Sequence, residues 1–228
     1  MRLDRVSLLA GVRALTRRDR DLATLVARYG PPPLWARRPG FTTLLRIILE
    51  QQVTLASARA LYDRLAAAVH PFDATGILAV GTAGLQGLGV TRQKAKYVHA
   101  LADQVTQGHL PLHRLGKYPD AEALTRLRTV AGIGPWTASI YLLMALRRPD
   151  VWPPGDLALE KAVSRLRGSA SRLSVGELEQ VTARWRPFRA VAARILWHAY
   201  LEERARPRSA TGSALSRPAD TDRALRRV

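Results

Sequence analysis

The sequence predicts an all-α protein of about ten helices, a number set by typical helix lengths and the spacing of its breakers. Apolar residues recur at helical spacing, as in Phe41, Leu44, Leu45, Ile48 and Leu49, in Leu61 and Leu65, and in Val191, Ile195 and Leu196. No comparable stretch alternates apolar and polar residues as a half-buried strand would. Glycine and proline clusters divide the pattern into helices of ordinary length. They fall at Gly30–Pro33, Pro39-Gly40, Gly87-Leu88-Gly89, Gly108, Pro119, Gly132–Pro135 and Pro153–Gly155.

Residues 1–30 read as a pair of amphipathic helices, too short to hold a separate β domain. Residues 206–228 are basic, polar and unpatterned, and are expected to be disordered. The remaining chain is expected to be one two-lobed domain over 1–205. Its central lobe would span about 45–160, and its second lobe would combine the N-terminal helices with 161–205.

The chain has 228 residues, 36 Lys+Arg and 18 Asp+Glu, for a formal charge of +18. That excess suits a polyanion, because neutralising phosphates releases condensed counterions. Charge alone does not separate nucleic acid from a solvated arginine-rich surface, so motifs must decide. With no cysteine, disulfides, thiolate metal sites and iron–sulfur clusters are excluded. His70, His99, His109, His113 and His198 lack metal-binding spacing. No apolar run approaches the ~20 residues that span a bilayer, and a cytoplasmic location is expected.

The most informative stretch runs from Leu124 to Ile140 and reads helix, Gly132-Ile133-Gly134, Pro135, helix. Glycines there permit positive φ and leave the loop uncovered, so backbone N–H groups can face a phosphate oxygen. Pro135 suits a first helical turn, whose free amides and dipole favour anions. Eighteen residues after Ala138, Val151-Trp152-Pro153-Pro154-Gly155-Asp156 ends in a carboxylate ahead of an apolar helix. Alone, Asp156 would be a helix N-cap.

Leu127–Ala138 resembles the helix-hairpin-helix signature of base-excision DNA glycosylases, and the Pro/Gly-rich loop with Asp156 resembles the family's catalytic loop. The two motifs in this order are far more specific than either alone. Trp136 resembles the 3-methyladenine DNA glycosylase II branch, and the likeness covers roughly residues 30–205.

The resemblance implies the HhH-GPD glycosylase fold and an enzyme of base excision repair. It would flip an alkylated purine such as 3-methyladenine out of double-stranded DNA and hydrolyse its N-glycosidic bond. Asp156 would be the catalytic carboxylate. Trp136 and Trp197 would line the base pocket, since indole faces suit a cationic base, whereas Trp185 and Phe188 read as ordinary helix packing. Gln52 would stand at the wedge position, in a segment, Leu49–Ala58, that resembles the family's intercalating turn.

Gly132, Ile133, Gly134, Trp136 and Thr137 would grip the DNA backbone. The carbonyls of Arg128, Val130 and Ile133 would hold a monovalent cation, Na+ or K+, with no other cofactor required. Arg92, Lys94 and Lys96 could neutralise flanking phosphates. Lyase-competent relatives carry Lys where Trp136 stands, so a monofunctional hydrolase, acting as a monomer, is expected. Rival readings are a glycosylase for deaminated or oxidised bases and a non-catalytic DNA-binding module. Pro-Gly-Asp-Leu also departs from the branch, which often has a second acid and an aromatic around the aspartate.

Overall fold

Side-chain caps turn the sequence's breakers into helix ends in the computed structural model, which describes residues 2–169 and 171–205. The predicted tail, 206–228, lies outside the described residues. Eleven α-helices and one 3-10 turn occur among the described residues, with no strand. They are α1 (Arg5–Arg18), α2 (Arg20–Tyr29), α3 (Phe41–Glu50), α4 (Leu55–Ala68), α5 (Ala74–Gly87), α6 (Arg92–Thr106), the 3-10 turn Leu112–Lys117, α7 (Asp120–Arg128), α8 (Pro135–Met144), α9 (Leu157–Leu166), α10 (Val175–Ala183) and α11 (Arg189–Ala205).

Asp4, Asp19, Thr54, Asp73, Thr91, Asp156 and Ser174 each accept a backbone N–H at the start of the following helix. Each such cap is worth about 1 kcal/mol, because it satisfies an amide that has no partner within its helix. No described helix is long and apolar enough to cross a membrane.

The helices pack around two apolar clusters. The first gathers buried residues from Phe41 to Val151, centred on α3, whose Leu44, Leu45, Ile47, Ile48 and Leu49 are fully buried. The second joins α1, α2, α9 and α11 through Leu8, Leu15, Leu22, Leu159, Val163, Val191 and Leu196, and adds Trp185. Each fully buried Leu or Ile contributes about 1.5–3 kcal/mol of burial. Met144 and Trp197 pack against both clusters. The α8–α9 connection, which carries Asp156, is where the chain passes from the first cluster to the second.

Two polar anchors fix this seam. Arg194 of α11 is fully buried and donates to the carbonyls of Leu34 at 2.9 Å, Ala190 at 2.9 Å and Leu143 at 2.7 Å. Burial pushes its guanidinium pKa down to about 10, and the three acceptors replace the lost hydration. Arg37 grips Glu50 with two 2.9 Å bonds, and Arg46 adds a third at 3.1 Å. The Arg37 amide also reaches the Met144 carbonyl at 3.0 Å. The extended segment before α3 is thereby tied to the ends of both α3 and α8.

Candidate active site and nucleic-acid groove

Asp156 is half-buried at the start of α9, and four N–H groups converge on its carboxylate. Oδ1 accepts from the backbone amides of Ala158 at 3.1 Å and Leu159 at 3.0 Å, and from the Trp197 indole at 3.3 Å. Oδ2 accepts from the Trp136 indole at 3.0 Å. Two residues from α8 and α11, both singled out from sequence, thus meet on a third. The indoles and backbone amides donate, and among the described residues no amine shares the carboxylate. Oδ1 is crowded with three donors, whereas Oδ2 carries one and keeps acceptor capacity for a water or an electron-poor carbon.

The hairpin stands beside this carboxylate. Gly132 adopts φ 86°, and a Cβ there would collide with the Tyr97 ring, so both backbone and packing demand glycine. Gly134 differs from the sequence expectation. Its φ is −81°, which any residue can adopt, and a Cβ there would meet nothing.

Pro135 opens α8, and no side chain caps this helix end. The first-turn amides of Trp136 and Thr137 have no partner within the helix by position, while Pro135 has no N–H to satisfy. The Ile133 N–H closes the turn onto the Val130 carbonyl at 3.1 Å. Thr137 is 2% exposed, and its hydroxyl accepts from Gln51 at 2.8 Å.

A groove of about 1040 Å³ runs between the hairpin and the α3–α4 turn. Arg128–Gly134 line one side, Gln51–Val53 the other, and Thr91–Lys94 with Tyr97 the floor. Asp156, Trp136 and Trp197 lie outside its lining. Gln52 is exposed on its rim with φ 55°, an unusual conformation for a residue with a side chain. Val53 and Leu55, 47% and 66% exposed, flank it with apolar surface.

Trp185 and Phe188 follow the packing expectation. Trp185 is 2% exposed, donates to Asp19 at 2.7 Å and lies 5.6 Å from the Trp152 ring, while Phe188 packs against the second cluster. Arg92 and Lys96 are exposed, but Lys94 is turned inward. Its Nζ donates to the carbonyls of Leu49 at 2.7 Å and Gln51 at 2.8 Å, and desolvation lowers its pKa. Sequence reasoning missed the roles of Lys94 and Gln51, since their partners lie more than forty residues away in the chain.

A family model described as "HhH-GPD superfamily base excision DNA repair protein" matches residues 45–187. The chain belongs to this superfamily. It is 24% identical over 186 residues to a Bacillus subtilis protein, an alignment that covers 78% of this chain and 64% of that relative. It is 25% identical over 186 residues to DNA-3-methyladenine glycosylase 1 of Schizosaccharomyces pombe, covering 77% of this chain and 79% of that protein. The solved structure of the Schizosaccharomyces pombe 3-methyladenine DNA glycosylase in complex with abasic DNA superposes with a TM-score of 0.74. It covers 86% of this chain and 97% of that one at 21% identity, a likeness of fold.

Proposed function

We propose that the protein is a monofunctional DNA glycosylase, acting as a monomer in the cytoplasm, that extrudes an N-alkylated purine from duplex DNA and hydrolyses its glycosidic bond. The observation that carries this reading is the convergence of the Trp136 and Trp197 indoles on the Asp156 carboxylate. A purine alkylated on a ring nitrogen is cationic, so the C1′–N bond can break with its electron pair leaving on the base and no general acid. Positive charge then develops on the deoxyribose, and Oδ2 of Asp156, which keeps acceptor capacity, would stabilise it. Water adds its oxygen to C1′, and its surplus proton passes to the carboxylate or to solvent.

The tryptophans serve twice. Their N–H groups fix the carboxylate, and their faces would stack on a cationic base. Trp136 stands where a lyase would need an amine, and none donates to Asp156, which supports hydrolysis without strand cleavage. The uncapped start of α8, reached across Gly134, would hold a phosphate, and the α3–α4 turn with Gln52 would enter the vacated stack.

The carbonyls of Arg128, Val130 and Ile133 are hard oxygen donors on residues lining the groove, and the Val130 oxygen keeps a lone pair beyond its bond to Ile133. They fit a monovalent cation, which would add positive charge against the phosphate. The test is a release assay on duplexes carrying methylated, deaminated or oxidised bases, with strand cleavage scored separately. Release of the methylated base alone, without cleavage, is expected. Activity confined to the deaminated or oxidised duplexes, or cleavage in step with release, would overturn the reading.

A further inference from the structure

The groove's two walls are joined by a polar brace. The Gln51 amide nitrogen reaches across from the end of α3 and donates to the Gly132 carbonyl at 3.0 Å and to the Thr137 hydroxyl at 2.8 Å. Behind it, the Lys94 ammonium donates to the carbonyls of Leu49 and Gln51 at 2.7 and 2.8 Å. These oxygens sit at the C-terminal end of α3, where carbonyls lack helical partners and the dipole favours a cation. Gln52 follows directly, in its left-handed conformation. A strained residue persists only where its surroundings over-determine it, and here the preceding residue is held from two sides.

We propose that Gln51 and Lys94 are positioning residues that make the hairpin and the α3–α4 turn one rigid body, so that gripping the backbone also sets the turn in the base stack. The brace needs no contact with DNA. On the hairpin it engages the Gly132 carbonyl and the Thr137 hydroxyl rather than the backbone amides that would face phosphate, and two of the Lys94 ammonium protons are directed at carbonyls. This inference rests on the glycosylase reading and adds a coupling between two of its parts.

A brace of this kind matters only while a paired base must be driven out and the hole filled. Its loss should therefore be felt on a fully paired duplex and relieved when the nucleotide opposite the lesion lacks its base, where no partner holds the lesion in the stack. Gln51→Leu, Thr137→Val and Gln51→Leu/Thr137→Val are compared by single-turnover release of a methylated purine from both substrates. Gln51→Leu is expected to slow release at least tenfold on the paired duplex and less than threefold opposite the abasic position. The double variant should lose little more than Gln51→Leu alone, as partners in one bond do.

Lys94→Met should show the same substrate dependence, with an unchanged salt dependence of binding to undamaged duplex. A salt slope reduced by about one would instead make Lys94 a phosphate contact and remove it from the brace. Equal loss on both substrates, or none on the paired duplex, would overturn the coupling. If the unaltered protein releases no methylated base, the functional reading fails; if it does and the variants lose rate uniformly, the brace alone fails. Gln51→Asn, too short to span the gap, gives a second, milder break should Gln51→Leu fold poorly.

Discussion

Asp156→Asn separates the carboxylate's two duties, and the geometry says what each should cost. Oδ1 serves three donors, the Ala158 and Leu159 amides and the Trp197 indole, whereas Oδ2 serves Trp136 alone. An asparagine will therefore turn its single oxygen toward Oδ1's partners and keep the cap of α9. Its NH2 then faces the Trp136 N–H, donor against donor. One charge-assisted bond is lost and an indole N–H stranded, for about 1–3 kcal/mol, or a fall in Tm of roughly 2–4 °C per kcal/mol for a chain of this size. Chemistry should suffer more, because the variant lacks the negative charge that the proposed mechanism sets against the anomeric carbon. Loss of one preorganised electrostatic group costs about 10²- to 10³-fold in rate. Single-turnover release from a methylated duplex at saturating enzyme reads this directly, with calorimetry for Tm and anisotropy for DNA affinity. A variant that binds DNA, melts within these limits and still releases base within threefold of the parent rate would refute the assignment.

Trp136→Phe keeps a ring but removes the one N–H that reaches Oδ2 among the described residues, and should slow release by about tenfold, the equivalent of one hydrogen bond of ~1.4 kcal/mol; Trp197→Phe, whose bond is 3.3 Å, should cost less in the same assay. Gly132→Ala meets both left-handed backbone strain and the Tyr97 ring, so about 2–4 kcal/mol of stability is expected to go in denaturant titration. Gly134→Ala should leave stability within about 0.5 kcal/mol yet weaken binding to undamaged duplex, and unchanged affinity would remove the hairpin from the DNA interface. Tyr141 is buried, and desolvation pushes its pKa up to about 12 from 10.0, with its oxygen accepting the Gly40 amide. The folded state therefore keeps a proton that the unfolded chain loses, so this stability is present below pH 10 and drains away as pH rises toward 12. The stability difference between the parent and Tyr141→Phe should shrink by about 2–3 kcal/mol over that window, and a constant difference would contradict it.

Much of the fold was legible because helix boundaries are local events. Pro135 and Asp156 mark helix starts by their own chemistry, one at the first turn of α8 and the other capping amides two and three residues on, and α3's buried stripe follows from its own spacing. Asp156, Trp136 and Trp197 were legible as residue types within recognisable motifs. Their meeting was not, since the bonds cross 20 and 41 residues and depend on how α8 and α11 pack. Gly134 shows the converse limit: its sequence suggested a backbone need, whereas neither its conformation nor the open space beside it requires a glycine.

The inward turn of Lys94 changes how the basic surface should be understood. A formal charge of +18 invites the assumption that a lysine on a groove floor serves phosphate. Its ammonium is instead spent on two carbonyls at a helix end, where burial depresses its pKa and no phosphate is required to justify the charge. Long-range attraction is then left to exposed groups such as Arg92 and Lys96, which act at a distance and are screened by salt. Geometry at the proposed lesion site would be left to partly buried groups that carry no positive charge: an amide, two indoles and a capped carboxylate. Raising the ionic strength should therefore weaken DNA binding steeply while leaving the single-turnover rate of the bound complex nearly constant. A release step that fell with salt in proportion to affinity would mean that exposed charges share in the chemistry, contrary to where the structure puts them.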